Sequence, residues 1–218
     1  MRRLSITLFS LCLASALTAQ TTGSNQSVRL RADNIDEVVS AMTLEEKVHL
    51  VIGCGMSMGS DTKFPGTAGR TYDIPRLGIP SAYLADGPHR LAMAAKREFD
   101  SRTYHATEFP SSTTVAATFN PDAAHKVGRT LGMEVKDYGL DVLLAPGVNL
   151  MRNVLCGRNH EYYSEDPVLT ADLGTAMVQG IQSKGVGACV KHFACNSQED
   201  SRFFSDSIVD ERALREIY

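Results

Sequence analysis

The chain has 218 residues, 43% hydrophobic and 22% charged, with 22 Lys+Arg against 25 Asp+Glu, a balance that excludes collagen-like and disordered classes. A formal net charge of −3 and a pI near 6.1 provide no bulk attraction to nucleic acid or to an anionic membrane, so a small or neutral partner is expected. The length falls short of the roughly 250 residues of a complete α/β barrel.

The first twenty residues differ from the rest. Arg2 and Arg3 precede an apolar run from Leu4 to Leu13, and small residues follow up to Ala19. This reads as a secretory signal peptide over 1–19, cut after Ala16 or Ala19. The run is too short to span a bilayer, and no later segment reaches the length a membrane span needs. Cys12 would serve as a lipid anchor, but Phe9-Ser10-Leu11 places bulk before it, which disfavours that reading. The mature protein is therefore expected to be exported, periplasmic or extracellular. Cys54, Cys156, Cys189 and Cys195 are too few for a disulfide scaffold and too irregular for a zinc site. Most are expected to be small buried hydrophobes, with a Cys189–Cys195 bridge as the minor alternative.

A polar leader occupies 20–33. Residues 34–51 then carry helical spacing interrupted at Thr43, where Thr43-Leu44-Glu45-Glu46 forms a capping box that starts a helix. The Gly-, Ser-, Thr- and Pro-rich stretch 53–80 reads as a long loop. From residue 81 a rhythm of short apolar run, polar cluster and amphipathic helix repeats three times. The first run, 82–85, ends in Asp86-Gly87-Pro88, and Asn120-Pro121-Asp122 opens a helix striped by Ala124, Val127, Leu131 and Val135. The second run, 142–145, leads through a polar loop to Asp166-Pro167 and a helix striped by Leu169, Leu173, Met177 and Ile181. The third, 186–190, ends in Lys191-His192, and Asp210 caps a last helix toward Tyr218. Strand, loop and helix repeated with short returns predict parallel strands. The expected fold is α/β, the N-terminal portion of a (β/α)8 barrel spanning 34–218, with its polar clusters on the face where barrel active sites lie.

Four clusters stand at strand ends: Asp86-Gly87-Pro88, the string from Gly157 to Pro167, Lys191-His192-Phe193, and Asn196 to Arg202. Each alone could be a turn, a helix cap or a solvated loop. Their recurrence at successive strand ends argues for a shared site. His160-Glu161 begins like a metalloprotease helix, but Ser164 stands where the second histidine belongs, so no metal is expected. No glycine-rich phosphate loop follows a strand and no G-x-S-x-G elbow occurs, so neither a nucleotide cofactor nor an α/β-hydrolase nucleophile is expected. A cofactor-free face rich in Asp, Arg, Lys, His and Asn suits a ligand with several hydroxyl groups, such as a sugar.

Leu84-Ala85-Asp86-Gly87-Pro88, Phe109-Pro110-Ser111-Ser112, the string from Gly157 through Arg158-Asn159-His160-Glu161 and Ser164-Glu165-Asp166 to Pro167, and Lys191-His192-Phe193 resemble the N-terminal barrel domain of glycoside hydrolase family 3, of the β-glucosidase and β-xylosidase type. The resemblance covers roughly 35–218. It implies an exo-acting retaining hydrolase that takes a β-linked oligosaccharide or glycoside and removes its terminal non-reducing β-D-glucosyl or xylosyl residue. It further implies that Asp86, Arg158, Lys191 and His192 hold that sugar, with Glu165 and Arg202 nearby, Glu165 as a partner orienting Arg158. Glu161, Glu165 and Asp166 all stand close enough in sequence to hold its guanidinium. The family's nucleophile and acid/base are expected beyond Tyr218, so no catalytic carboxyl is assigned here. The pattern D-G-P-x-G-x-R is not kept, since His89-Arg90-Leu91-Ala92 follows Pro88, and Arg90 is left out of the site. The string Ala194-Cys195-Asn196-Ser197-Gln198-Glu199 after Lys-His-Phe favours the glucosidase or xylosidase side over N-acetylglucosaminidases. The rivals are a catalytically inactive exported carbohydrate-binding protein and an exported structural protein that uses the barrel as an interaction surface.

Overall fold

The computed structural model describes residues 28–54 and 63–218. The expected signal peptide at 1–19, Cys12 and the leader as far as residue 27 lie outside the described residues.

Helix α1 (Ile35–Ala41) and helix α2 (Leu44–Ile52) divide where the spacing breaks. The predicted capping box closes on both sides: Thr43 Oγ1 accepts from the Glu46 N–H at 3.2 Å, and Glu46 Oε2 accepts from the Thr43 N–H at 2.8 Å. Val38 and Met42 bury against Ile74 and Leu77, a satellite core beside the main one.

Strand β1 (Gly69–Arg70) arises inside the stretch read as loop, pairing antiparallel with β2 (Tyr83–Asp86). Two residues are too few to show a strand period, and the signal lies only in the partners, with Ala68 N–H donating to Leu84 O at 2.9 Å and Thr71 N–H to Ala82 O at 2.9 Å. Helix α3 (Ser112–Ala116), also unforeseen, is started by Ser111, whose hydroxyl accepts from the Thr114 N–H. Helix α4 (Pro121–Asp137), strand β3 (Val142–Leu144), helix α5 (Pro167–Gln182), strand β4 (Gly187–Ala188) and helix α6 (Glu211–Glu216) complete the order.

The sheet runs β1-β2-β3-β4, with β2, β3 and β4 parallel: Leu84 faces Val142, and Val142 faces Gly187. The third strand is shorter than the 186–190 expected, but its pairing continues beyond β4 as a bridge between Gly147 and Lys191. The caps hold as predicted. Asn120 Oδ1 accepts from the Asp122 N–H at 2.9 Å, Asp166 Oδ1 from Val168 at 2.9 Å, and Asp210 Oδ1 from Ala213 at 2.8 Å.

Ala85 and Leu143 of the strands bury against Leu131 and Val135 of α4 and Met177 and Ile181 of α5, so the two helix stripes cover one face of the sheet. This is the strand-and-helix layering of a partial (β/α)8 barrel. Helices α4 and α5 approach closely through glycines, and a Cβ at Gly128 would stand 2.4 Å from the Met177 carbonyl oxygen. Gly128→Ala should therefore destabilise the fold by roughly 1–3 kcal/mol through overpacking, read as a lowered thermal midpoint. An unchanged midpoint would show that the helices can slide apart at no cost.

Of the four described cysteines only Cys156 and Cys195 are buried, not most of them, since Cys54 is half-buried and Cys189 exposed, and all four are free. The Cys189–Cys195 bridge is not formed. No described helix is long and apolar enough to cross a membrane.

Candidate active site

The last residue of β2, the loop after β3 and the loop after β4 meet at the C-terminal end of the strands. Asp86 ends β2, and its Oδ1 accepts from the Gly87 N–H at 2.9 Å. Gly87 is required there, because with φ at +135° any Cβ would lie 1.5 Å from the Arg90 carbonyl oxygen. Lys191 is aimed by its backbone: its N–H donates to Pro146 O at 3.0 Å and its O accepts from the Val148 N–H at 2.7 Å, tying it to the segment after β3. The Lys191–His192 and Phe193–Ala194 peptides are cis.

From these anchors the side chains alternate in charge. Lys191 Nζ donates to Asp86 Oδ1 at 2.6 Å and lies 3.4 Å from Glu161 Oε2. Arg158 Nε donates to Glu161 Oε1 and stands 3.8 Å from Glu199 Oε1, while Arg202 donates to Glu199 Oε2 at 2.9 Å. Asn196 Nδ2 donates to Glu199 Oε1 at 2.7 Å and to the Tyr162 hydroxyl at 3.3 Å, and Tyr162 shares a 2.8 Å hydrogen bond with His192 Nδ1. The Asn196 N–H in turn donates to Oδ1 of buried Asn149 at 2.7 Å. Arg158, His192, Asn196 and Arg202 border a cleft of about 370 Å³ together with Phe193 and Phe203.

The four residues named for sugar binding thus stand in one network, and Arg202 joins it through Glu199. Glu165 does not. It is exposed and makes no ion pair with Arg158, whose carboxylate partners are Glu161 and Glu199. The reason is local: the 3-10 turn Asn159–Glu161 folds Glu161 back onto Arg158, whereas Glu165 lies on the exposed approach to α5, where Asp166 is spent as the helix cap. Arg90 turns away onto Glu108, 3.5 Å distant, and does not reach Asp86. Glu161, one of three acids whose spacing allows it to hold Arg158, is the one that does, while Tyr162, Asn149, Asn196 and Glu199 join the network without a role that the sequence alone assigns. Glu161 and Tyr162 were inside the quoted string and Asn196 and Glu199 inside a named cluster, but residue type alone does not show which of them turn inward.

Burial works to raise the Asp86 carboxyl, yet the Lys191 hydrogen bond and charge, the Gly87 N–H and the Arg158 charge outweigh it and hold the group below the ordinary aspartate range. Glu199 is held low in the same way, by Asn196, Arg158 and Arg202 against burial. Both are hydrogen-bond acceptors at neutral pH and poor proton donors. Burial pushes the Tyr162 phenol up to about 12, so its hydroxyl keeps its proton. His192 is lowered, first by burial and then by the Arg158 and Lys191 charges, against Glu161 and Glu199. Among the described residues no group of three or more His, Cys, Asp or Glu could hold a metal ion.

A pH dependence follows for His192. The unfolded histidine takes its proton near pH 6.5 and the folded one only at lower pH, so between those values the unfolded state binds more protons. Stability from this group is full above about pH 6.5 and falls as the pH drops toward the folded value. The thermal midpoint should drop between pH 7 and pH 5.5 by more in the wild type than in His192→Gln. Equal drops would mean that His192 titrates as if unburied.

Parallel strands whose C-terminal loops converge on a charged cluster beside a cleft define the class: an α/β-barrel protein with its candidate site at the strand ends. The chain belongs to glycosyl hydrolase family 3, the model of that family's N-terminal domain matching residues 87–217. It is 43% identical over 190 residues to thermostable β-glucosidase B of Acetivibrio thermocellus, covering 86% of this chain and 24% of that protein. An exo-α-(1→6)-L-arabinopyranosidase of Bifidobacterium longum is 40% identical over 185 residues, covering 83% of this chain and 23% of the relative. Among solved structures, β-glucosidase 3B of Thermotoga neapolitana in complex with α-D-glucose matches with a TM-score of 0.79 and 50% identity, over 84% of this chain and 26% of that one. The chain thus spans about a quarter of the length of these relatives.

Proposed function

We propose that this chain supplies the sugar-gripping part of a β-glycosidase that removes a terminal non-reducing β-D-glucosyl or xylosyl residue with retention of configuration. The observation that carries the reading is the pairing of Lys191 with Asp86 and of Arg158 with Glu161 at one strand-end mouth, beside a neutral His192. Paired donors and acceptors at fixed spacing recognise vicinal hydroxyls, each hydroxyl giving and taking one hydrogen bond. Likeness to a β-glucosidase solved with glucose supports glucose as the sugar. A relative acting on an arabinopyranoside makes that sugar the competitor to test. The protein is exported in this reading, on the strength of the leader at 1–19, and N-terminal sequencing of the mature protein tests that part.

Retaining hydrolysis needs a nucleophilic carboxylate and an acid/base carboxyl about 5–5.5 Å apart. Asp86 and Glu161 both lie within reach of Lys191, but each is held by a cation, and Asp86 stays ionised. We assign neither chemical role to Asp86, Glu161 or Glu199. The 218-residue chain alone should therefore bind glucose without releasing nitrophenol from an aryl β-glucoside. Turnover by the chain that is lost in Asp86→Asn would overturn this division of roles. For the protein as its gene encodes it, aryl β-glucoside, β-xyloside and α-L-arabinopyranoside should rank with glucoside or xyloside first. Binding without turnover there would favour the inactive carbohydrate-binding protein, a reading that the ion-paired state of all three carboxylates keeps open.

A further inference from the structure

Between the two cations of the site stands a carboxylate. The Glu161 side chain is 4% exposed, accepting from Arg158 Nε at one oxygen and lying 3.4 Å from Lys191 Nζ at the other. Its backbone is held as firmly. The Glu161 N–H donates to Arg158 O at 3.0 Å, and its own carbonyl packs against Gly147, where a Cβ would come within 2.5 Å of the oxygen. Gly147 in turn bridges to Lys191, so the acid and the ammonium share one backbone frame. Along the site the charges run Asp86, Lys191, Glu161, Arg158, Glu199, Arg202, with Glu161 the most buried of the ion-paired side chains.

We propose that Glu161 is a positioning residue whose buried charge holds the Lys191 ammonium and the Arg158 guanidinium at a fixed separation, so that their remaining N–H groups point at one sugar ring. The inference rests on the sugar-gripping reading above. Two cations this close in a half-dry site repel strongly unless an anion stands between them. Each cation has a second anionic partner, Asp86 for Lys191 and Glu199 for Arg158, but among the described residues only Glu161 touches both. Without it, each cation would be drawn outward to its remaining acid, Lys191 toward half-exposed Asp86 and Arg158 toward Glu199. The two grips would diverge.

Glu161→Gln keeps the shape and removes the charge, while Glu161→Asp keeps the charge and shortens the reach. In the protein as its gene encodes it, kcat/KM on an aryl β-glucoside should fall at least about tenfold in Glu161→Gln at an unchanged fold, and Glu161→Asp should recover part of the loss. A second readout needs no substrate. His192 faces Arg158, Lys191, Glu161 and Glu199 with the Tyr162 hydroxyl at 2.8 Å, and the Glu161 charge raises its affinity for a proton. Its titration midpoint, followed by NMR, should move down in Glu161→Gln and stay in place in Glu161→Asp. Near-normal kcat/KM in Glu161→Gln overturns the proposal, and so does a loss of activity with the His192 midpoint unmoved, since shape rather than charge would then be at work. If Glu161→Gln fails to fold, Glu161→Asp decides: an unmoved midpoint with activity within about tenfold of wild type supports the role, and a loss as deep as that of Lys191→Ala overturns it. An inactive wild type would defeat the glycosidase reading while leaving the positioning claim to the His192 titration.

Discussion

In the protein as its gene encodes it, and on the proposed glycosidase function, Lys191→Ala is expected to lower kcat/KM on an aryl β-glucoside by roughly 30- to 1000-fold, the equivalent of ~2–4 kcal/mol for a lost charged hydrogen bond and the partner left unpaired. Two effects add. The proposed sugar ligand loses an ammonium donor, and Asp86 and Glu161 lose the cation standing between them, 2.6 Å from one and 3.4 Å from the other. Removing one member of a buried pair is costly because the other charge stays behind. Asp86 is half exposed, so water recovers much of that cost on its side, and the variant should fold with a moderately lowered thermal midpoint. The Asp86 carboxyl should also titrate at higher pH once its main hydrogen-bond donor is gone. Near-normal kinetics in Lys191→Ala, with Asp86 titrating as before, would remove Lys191 from the site.

The parts of this fold that could be read in advance are those fixed by neighbours in sequence. Asn120-Pro121 and Asp166-Pro167 announce helix starts because an Asx side chain satisfies the first free N–H groups within three residues, and both caps form. The stripes of α4 and α5 are legible for the same reason: 3.6-residue spacing is local, and Leu131, Val135, Met177 and Ile181 all bury. Strands β1 and β4 are hidden or overdrawn because Gly69-Arg70 and Gly187-Ala188 contain no large apolar side chain to mark a face. They are strands only through what they pair with.

The site divides along the same line. Asp86, Arg158, Lys191 and His192 were legible from motifs that sit at strand ends, but their order in space was not. Choosing between Glu161 and Glu165 as the partner of Arg158 required knowing that a 3-10 turn follows Arg158 and that the approach to α5 faces solvent. Both acids lie within seven residues of the arginine, and only tertiary packing separates them. Arg90, left out of the site because the residues after Asp86-Gly87-Pro88 break the expected pattern, pairs with Glu108 on the same loop instead.

Arg158→Lys separates a geometric role from mere charge balance. The Arg158 guanidinium donates through Nε to Glu161 and stands beside Glu199, with a fifth of the side chain still exposed at the cleft. Arginine can make these contacts and keep a planar pair of N–H groups for a ligand, because its five donors are rigidly arrayed. Lysine brings one compact ammonium on a flexible stem. Set between Glu161 and Glu199, it would satisfy the acids and have nothing left in fixed orientation for sugar hydroxyls. Stability should then change little, since the charge pattern survives, while kcat/KM falls at least tenfold, about 1.4 kcal/mol of transition-state binding. A charge-balancing arginine would instead tolerate lysine with activity intact. The decisive comparison is kcat/KM for Arg158→Lys in the protein as its gene encodes it, at a thermal midpoint matching wild type, and full activity there would strike Arg158 from the residues proposed to hold the sugar.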